Sequence, residues 1–160
     1  MNNRAPYRSD QTGEYDEKVI QVSRVSKKTK GGNRIGFSIL VVVGDKKGKV
    51  GVALAKAADV KGAIGKAFTR ARANMITVPL RGTTVPFEVT QKFSAARVLV
   101  KPAPPGSGII AGGPMRTVLD AAGIRDAVGK ILGTKNKTSN VYATIEALKT
   151  ISAVEKKKGK

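Results

Sequence analysis

The chain has 160 residues, carries 30 Lys and Arg against 11 Asp and Glu for a net charge of +19, and contains neither Cys nor His. That length suits one domain or two small ones, and the charge opposes compaction unless a polyanion offsets it, with nucleic acid ahead of an anionic membrane. Without Cys and His, thiolate and imidazole metal sites, Cys nucleophiles, Ser-His triads and disulfides are excluded, and no apolar run approaches the roughly 20 residues of a membrane span.

Residues 1–16 are polar and without periodicity, and read as a flexible N-terminal arm. The first 20 residues lack an apolar signal core and hold Asp10, Glu14, Asp16 and Glu17, which argues against a targeting peptide and makes the cytoplasm or an organelle stroma the default setting. "KVIQVSRV" then places Ile20 and Val22 on one face of a half-buried strand. "RIGFSILVVVGD" is rich in β-branched and aromatic residues and predicts a second strand, "KVGVALAK" a third, and the short turns between them make the three antiparallel neighbours. Asp59 is the expected cap of a helix whose apolar stripe is Val60, Ile64, Ala67, Phe68, Ala71 and Met75. Gly62 and Gly65 weaken that helix by about 1 kcal/mol each relative to Ala.

"VPLRGTTVPF" is a connector, centred on residues 80–84. Beyond it, "PFEVTQKF" and "ARVLVKPA" predict two strands, and "PAPPGSGIIAGGP" a long Gly/Pro loop. Pro114 opens a helix that runs to Gly123, "DAVGKILG" is a short strand, and Asn140 caps a last helix with Val141, Ile145 and Leu148 on one face. The Lys-rich end is expected to fray. The fold class is therefore α+β in two small units, β-β-β-α followed by β-β-α-β-α. The boundaries are an arm over 1–16, an RNA-binding domain over 17–80, a second domain over 85–152 and a basic tail over 153–160. Each unit is small for a self-sufficient core, so each is expected to lean on the other and on a bound partner.

Charge is unevenly spread. Residues 18–82 hold 15 cations and only Asp45 and Asp59. "RVSKKTKGGNRIGF" crowds Arg24, Lys27, Lys28, Lys30 and Arg34 around Gly31-Gly32. Between two strands this is a hairpin loop, where glycine permits positive φ and close approach, and its exposed N–H groups can donate to phosphate. Lys46, Lys47 and Lys49 repeat the pattern at the next turn, and Lys56, Arg70 and Arg72 add to the excess. A solvated basic tip is the plain alternative for one such loop; two basic turns and a basic-flanked helix favour nucleic acid. RNA is preferred to DNA because the helix offers no row of long base-reading side chains, so shape and phosphate are the expected targets. Phe37 and Phe68 are read as packing residues rather than stacking platforms.

The motifs "RVSKKTKGGNR", "VVVGDKKGKVG", "KAFTRARANM", "PGSGIIAGGPMR" and "NVYATIEAL" stand in an order and spacing that resembles the bacterial small-subunit ribosomal protein five family. The resemblance implies a first unit similar to a double-stranded-RNA-binding fold lacking its initial helix. It implies a second unit of the type shared with a domain of elongation factor G and with some small-molecule kinases. It also implies a structural, non-enzymatic role in the small ribosomal subunit, binding its rRNA, beside ribosomal proteins four and eight. No cofactor, membrane or homo-oligomer is implied. The rRNA-contacting loop of the family corresponds to Ser26, Lys27, Lys28, Lys30, Gly31 and Gly32, near the spectinomycin site and the head–body junction. Asn33 stands where a cation is common, with Arg34 next. Gly108, Gly112 and Arg116 correspond to the side facing protein four, linked to decoding accuracy, and basic residues of the first unit to the messenger RNA entry channel.

"GSGIIAGG" resembles a nucleotide loop, but its third glycine falls one place late at Gly112 and no Lys-Ser/Thr follows. Glu88, Asp120 and Asp126 are few acids for Mg²⁺, and with Glu146 they read as surface acids balancing nearby cations. A free RNA chaperone is the remaining class, separable by whether crosslinks in cells fall at fixed rRNA positions or broadly.

Overall fold

The structure is a computed structural model and describes residues 15–158; of the expected arm over 1–16, residues 1–14 lie outside them. Strands β1 (Asp16–Thr29), β2 (Gly32–Gly44) and β3 (Lys49–Ala57) lead into helix α1 (Val60–Ala73) and a short strand β4 (Ile76–Thr77). They form an antiparallel sheet in the order β1-β2-β3-β4. The second half runs β5 (Val89–Phe93), β6 (Ala96–Pro102), β7 (Ile109–Ile110), α2 (Gly113–Ala121), β8 (Ala127–Leu132) and α3 (Lys137–Lys158). Its sheet has the order β5-β6-β8-β7, with only the β7–β8 pair parallel. The α+β class and both element orders follow the expectation, with β4 and β7 added.

The apolar run at residues 39–43 is continuous because both faces of β2 are covered. Ile39, Val41 and Val43 face α1 with Ala63, Ala67, Phe68 and Ala71. Leu40 and Val42 face the other way, into a core shared with Met115, Val118, Leu119, Leu148 and Ile151 of the second half. The two units are therefore layers on one central sheet, and neither buries its apolar surface alone.

Several local expectations are corrected. A bulge between Val19 and Gln21 breaks the alternation of β1, so Ile20 reaches the shared core while Val22 is 50% exposed. The stripe of α1 is Ala63, Ala67, Phe68 and Ala71, with Ile64 half-buried against it as expected; Val60 is exposed and Met75 lies past the helix end. Asp59 does cap α1, its carboxylate accepting from Gly62 N–H. Asn140 does not cap α3. Asn136 does, with Thr138 N–H donating to its Oδ1 at 3.0 Å, while Asn140 is buried one turn on and donates its amide to the Thr134 carbonyl. Residues 15 and 16 belong to the fold, and 153–158 continue α3 rather than fraying.

α2 ends in a Schellman arrangement: Gly123, at φ 85°, donates to Asp120 O, and Ile124 to Leu119 O. Two further carbonyls of that end, Ala121 and Ala122, accept from Lys46 N–H (3.2 Å) and Gly48 N–H (2.9 Å) of the β2–β3 turn. One unit thus caps a helix of the other.

Candidate nucleic-acid interface

β1 pairs with β2 along its whole length, but β3 pairs with β2 only from Phe37 onward. The pairs from Val25↔Gly36 to Thr29↔Gly32 therefore project as a bare two-stranded finger, about 14 Å long at 3.4 Å per residue. Lys30 and Gly31 form its two-residue turn. Only Gly32 of the two glycines has positive φ, at 126°, and Thr29 Oγ1 ties the turn by donating to its carbonyl at 2.8 Å. No heavy atom lies within 4 Å of the Cβ position of either glycine, so the tip backbone is open to a close partner.

Register sorts the cations. Lys27 stands directly opposite Arg34, and Lys28 opposite Asn33. Two like charges at an opposed pair destabilise a hairpin. Among the described residues no carboxylate pairs with Arg24, Lys27, Lys28, Lys30, Arg34 or Lys56. Lys27, Arg34 and Lys56 line a shallow concavity at the finger's base together with Ser26. Eight sequence-nominated residues, from Ser26 to Arg34, thus share one finger, with Arg24 and Lys56 at its root.

The other nominated cations lie elsewhere. The turn carrying Lys46, Lys47 and Lys49 sits at the opposite end of β2, roughly 40 Å from the tip. Its shape is set by Asp45, whose carboxylate accepts from Lys47 N–H (2.7 Å) and Lys49 N–H (2.8 Å). Lys46 is paired with Asp16 at 3.3 Å, and Arg72 with Glu17 at 2.6 Å, 6.0 Å from the centre of the Tyr15 ring. Arg70 lies on the exposed side of α1 beside a groove shared with Phe93, Tyr142 and Glu146.

A charged network that the sequence did not suggest closes the seam between units. Lys18 reaches both Asp16 (3.3 Å) and Asp120 of α2. Burial pushes the Asp16 carboxyl up, but the ammoniums of Lys18 and Lys46 outweigh it and hold it below its ordinary value. Burial likewise pushes Lys18 down, and Asp120 and Asp16 raise it above its ordinary value.

The Gly/Pro loop is built rather than slack. Gly106 and Gly108 both have positive φ, at 88° and 72°. Asp126, expected at the surface, is 4% exposed and holds this loop: its carboxylate accepts from Gly108 N–H at 2.9 Å. Hydrogen bonds from Thr83 and from the Gly108 and Gly106 amides keep its carboxyl below the ordinary value. Arg116 donates to the Ile109 carbonyl at 2.7 Å, and Gly112 is the N-cap of α2. Gly108, Gly112 and Arg116 therefore do lie together, around β7 and the start of α2. Glu88, Asp120 and Glu146 are paired with Lys101, Lys18 and Lys149.

Residues 15–79 match the family model for ribosomal protein S5, N-terminal domain, and residues 91–159 that for ribosomal protein S5, C-terminal domain. The chain belongs to the ribosomal protein S5 family. A relative from Chloroflexus aurantiacus, small ribosomal subunit protein uS5, is 48% identical over 144 residues, 90% of this chain and 81% of that one. One of the same name from Protochlamydia amoebophila is 45% identical over 152 residues, 94% and 91% of the two chains. Small ribosomal subunit protein uS5c of Spinacia oleracea is 49% identical over 138 residues, 86% of this chain and 45% of that one. The S5 family is a structural, non-enzymatic constituent of the small ribosomal subunit, so the nucleotide-loop reading of residues 106–113 is set aside.

Proposed function

We propose that this S5-family chain anchors small-subunit rRNA through the β1–β2 finger, stabilising one rRNA arrangement by neutralising phosphates. The observation that carries this reading is the finger's uncompensated charge: Lys27 faces Arg34 with no described carboxylate near, on a two-stranded projection that gains little from its own packing. Such a tip loses its self-repulsion when counter-ions of an RNA backbone replace water and salt. Gly31 and Gly32 leave the backbone uncovered where those phosphates would lie.

The same reading assigns the loop of Gly108 and the start of α2 with Gly112 and Arg116 to contact with ribosomal protein four, supporting translational accuracy. It places protein eight as a further neighbour. First-unit cations away from the finger, Lys46, Lys47, Lys49, Arg70 and Arg72, are assigned to small-subunit rRNA as well, and basic residues of the first unit border the messenger RNA entry channel. What supports the protein-four side is the built character of that loop, fixed by Asp126 and Arg116 while its outer glycines stay uncovered.

The test is the salt dependence of rRNA binding by the purified chain. Replacing Lys27, Lys28 and Lys30 by Ala should lower the slope of log K against log salt by about 0.9 per lost contact on duplex-like RNA, roughly 2.7 in all. An unchanged slope removes the finger from the interface.

A further inference from the structure

The second unit has five acids, Glu88, Asp120, Asp126, Glu146 and Glu155. The first four are committed, to Lys101, to Lys18, to the Gly108 loop and to Lys149, and Glu155 lies toward the far end of α3 from Lys137. Among the described residues no carboxylate pairs with Lys92, Arg97, Lys130, Lys135 or Lys137, and register shows where several of them meet.

α3 covers one face of the β5-β6-β8-β7 sheet, the face of Val89, Val98 and Val100, with Thr150 hydrogen-bonded to Gln91. Among the described residues the opposite face carries no helix. On it Lys92 of β5 stands directly opposite Arg97 of β6. Lys130 of β8, paired with Leu99, is the diagonal neighbour of Arg97, which itself pairs with Leu132. Opposed residues have Cβ atoms roughly 5 Å apart and diagonal ones 7–8 Å, so three positive charges share one end of this face. Lys92, Arg97 and Lys130 are all exposed.

The chain after β8 adds to that end. Gly133, at φ 92°, lies so close to the β5–β6 turn that a Cβ on it would meet the Ala95 carbonyl at 2.4 Å. Lys135 and Lys137 follow, both exposed, at the start of α3, whose first turn holds no acid. The partial positive charge of a helix N-terminus reinforces them.

We propose that this end of the open sheet face, with Lys92, Arg97 and Lys130 flanked by Lys135 and Lys137, is a second surface for an RNA sugar-phosphate backbone, separate from the finger. The opposed Lys92–Arg97 pair destabilises the bare sheet for the reason given for Lys27 and Arg34, and a polyanion removes that repulsion. A protein partner is disfavoured at this end: it would have to supply several buried carboxylates, each with its own desolvation cost. The surface shares a partner class with the finger but none of its residues, so the two assignments fail separately.

The experiment uses the full chain and small-subunit rRNA. The variant K92Q/R97Q/K130Q should melt slightly above the wild-type temperature, because the opposed like charges are gone, and lose about 2.7 in salt slope on duplex-like RNA. Combined with the Lys27, Lys28 and Lys30 replacements, the two losses should add. Because the chain has no Cys, Thr90→Cys on the same face gives a single attachment point for Fe(II)-EDTA. Assembled into small subunits, it should cut rRNA at a few fixed positions. The proposal requires both results. An unchanged slope overturns it, and so does a probe at residue 90 that cuts no rRNA while a crosslinker there captures a ribosomal protein. Neither outcome touches the finger, which is read from its own variant.

Discussion

Gly44→Ala tests the seam where the two halves meet. A Cβ at Gly44 would stand 1.9 Å from the Ala121 carbonyl oxygen, against about 3.4 Å for ordinary contact. The end of α2 would therefore have to retreat by about 1.5 Å. The obstacle is backbone, so no rotamer change relieves it. Retreat would also stretch the hydrogen bonds that Lys46 and Gly48 donate to Ala121 and Ala122. Overpacking typically costs 1–3 kcal/mol, and a main-chain obstacle tied by two hydrogen bonds belongs at the upper end, about 3 kcal/mol. For a chain of this size that lowers Tm by about 6–12 °C. Thermal denaturation of the purified chain by circular dichroism measures it. Hydrogen exchange should show faster opening in β2 and α2 together. A Tm within about 2 °C of wild type would refute close backbone docking of the units.

Gly65→Ala is the counterpart: nothing lies within 4 Å of its Cβ position on the exposed side of α1, so stability should rise by up to about 1 kcal/mol in the same melts. Arg116→Ala should change miscoding by reconstituted subunits while leaving rRNA affinity nearly intact, because its guanidinium shapes the loop through the Ile109 carbonyl. Asp126→Asn should speed exchange of the Gly106 and Gly108 amides, read by NMR, since a neutral amide accepts more weakly than a carboxylate. Both Asp16 and Asp126 have depressed folded values, so their contribution is complete above the unfolded value of about 3.9 and is lost as pH falls through the folded one. Lys18 is raised, so its contribution is complete below about 10.4 and is lost as pH rises through its folded value. Melts across pH should show one acid and one alkaline loss from these groups, and Asp126→Asn should shrink only the acid one.

The features legible in sequence are those written in adjacent residues. Asp59 announces α1 because an N-cap acts two or three residues downstream, and the run at residues 39–43 announces a strand, though its cover on both faces is visible only in the fold. The finger was legible for the same reason, its cations lying within eleven consecutive positions. What was missed depends on distant partners. β7 is two residues held by β8, and the bulge in β1 exists only against β2. The start of α3 was misplaced because Asn136 and Asn140 are both good caps, and the periodicity of Val141, Ile145 and Leu148 suits either. In sequence Asp126 is indistinguishable from a surface acid, because the Gly108 amide that it accepts from lies 18 positions earlier. Lys92, Arg97 and Lys130 are spread over 39 positions, and strand register alone brings them to one face.

The common interior also bears on synthesis. Leu40, Val42, Val50 and Val52 leave the exit tunnel long before Leu148 and Ile151, the residues that cover that side of the sheet. For most of its translation the nascent first half presents a broad greasy surface with no cover, the kind of exposure that invites aggregation. Chaperone occupancy should therefore persist until the last helix emerges, and ribosomes stalled before it should hold the first sheet in a protease-sensitive state.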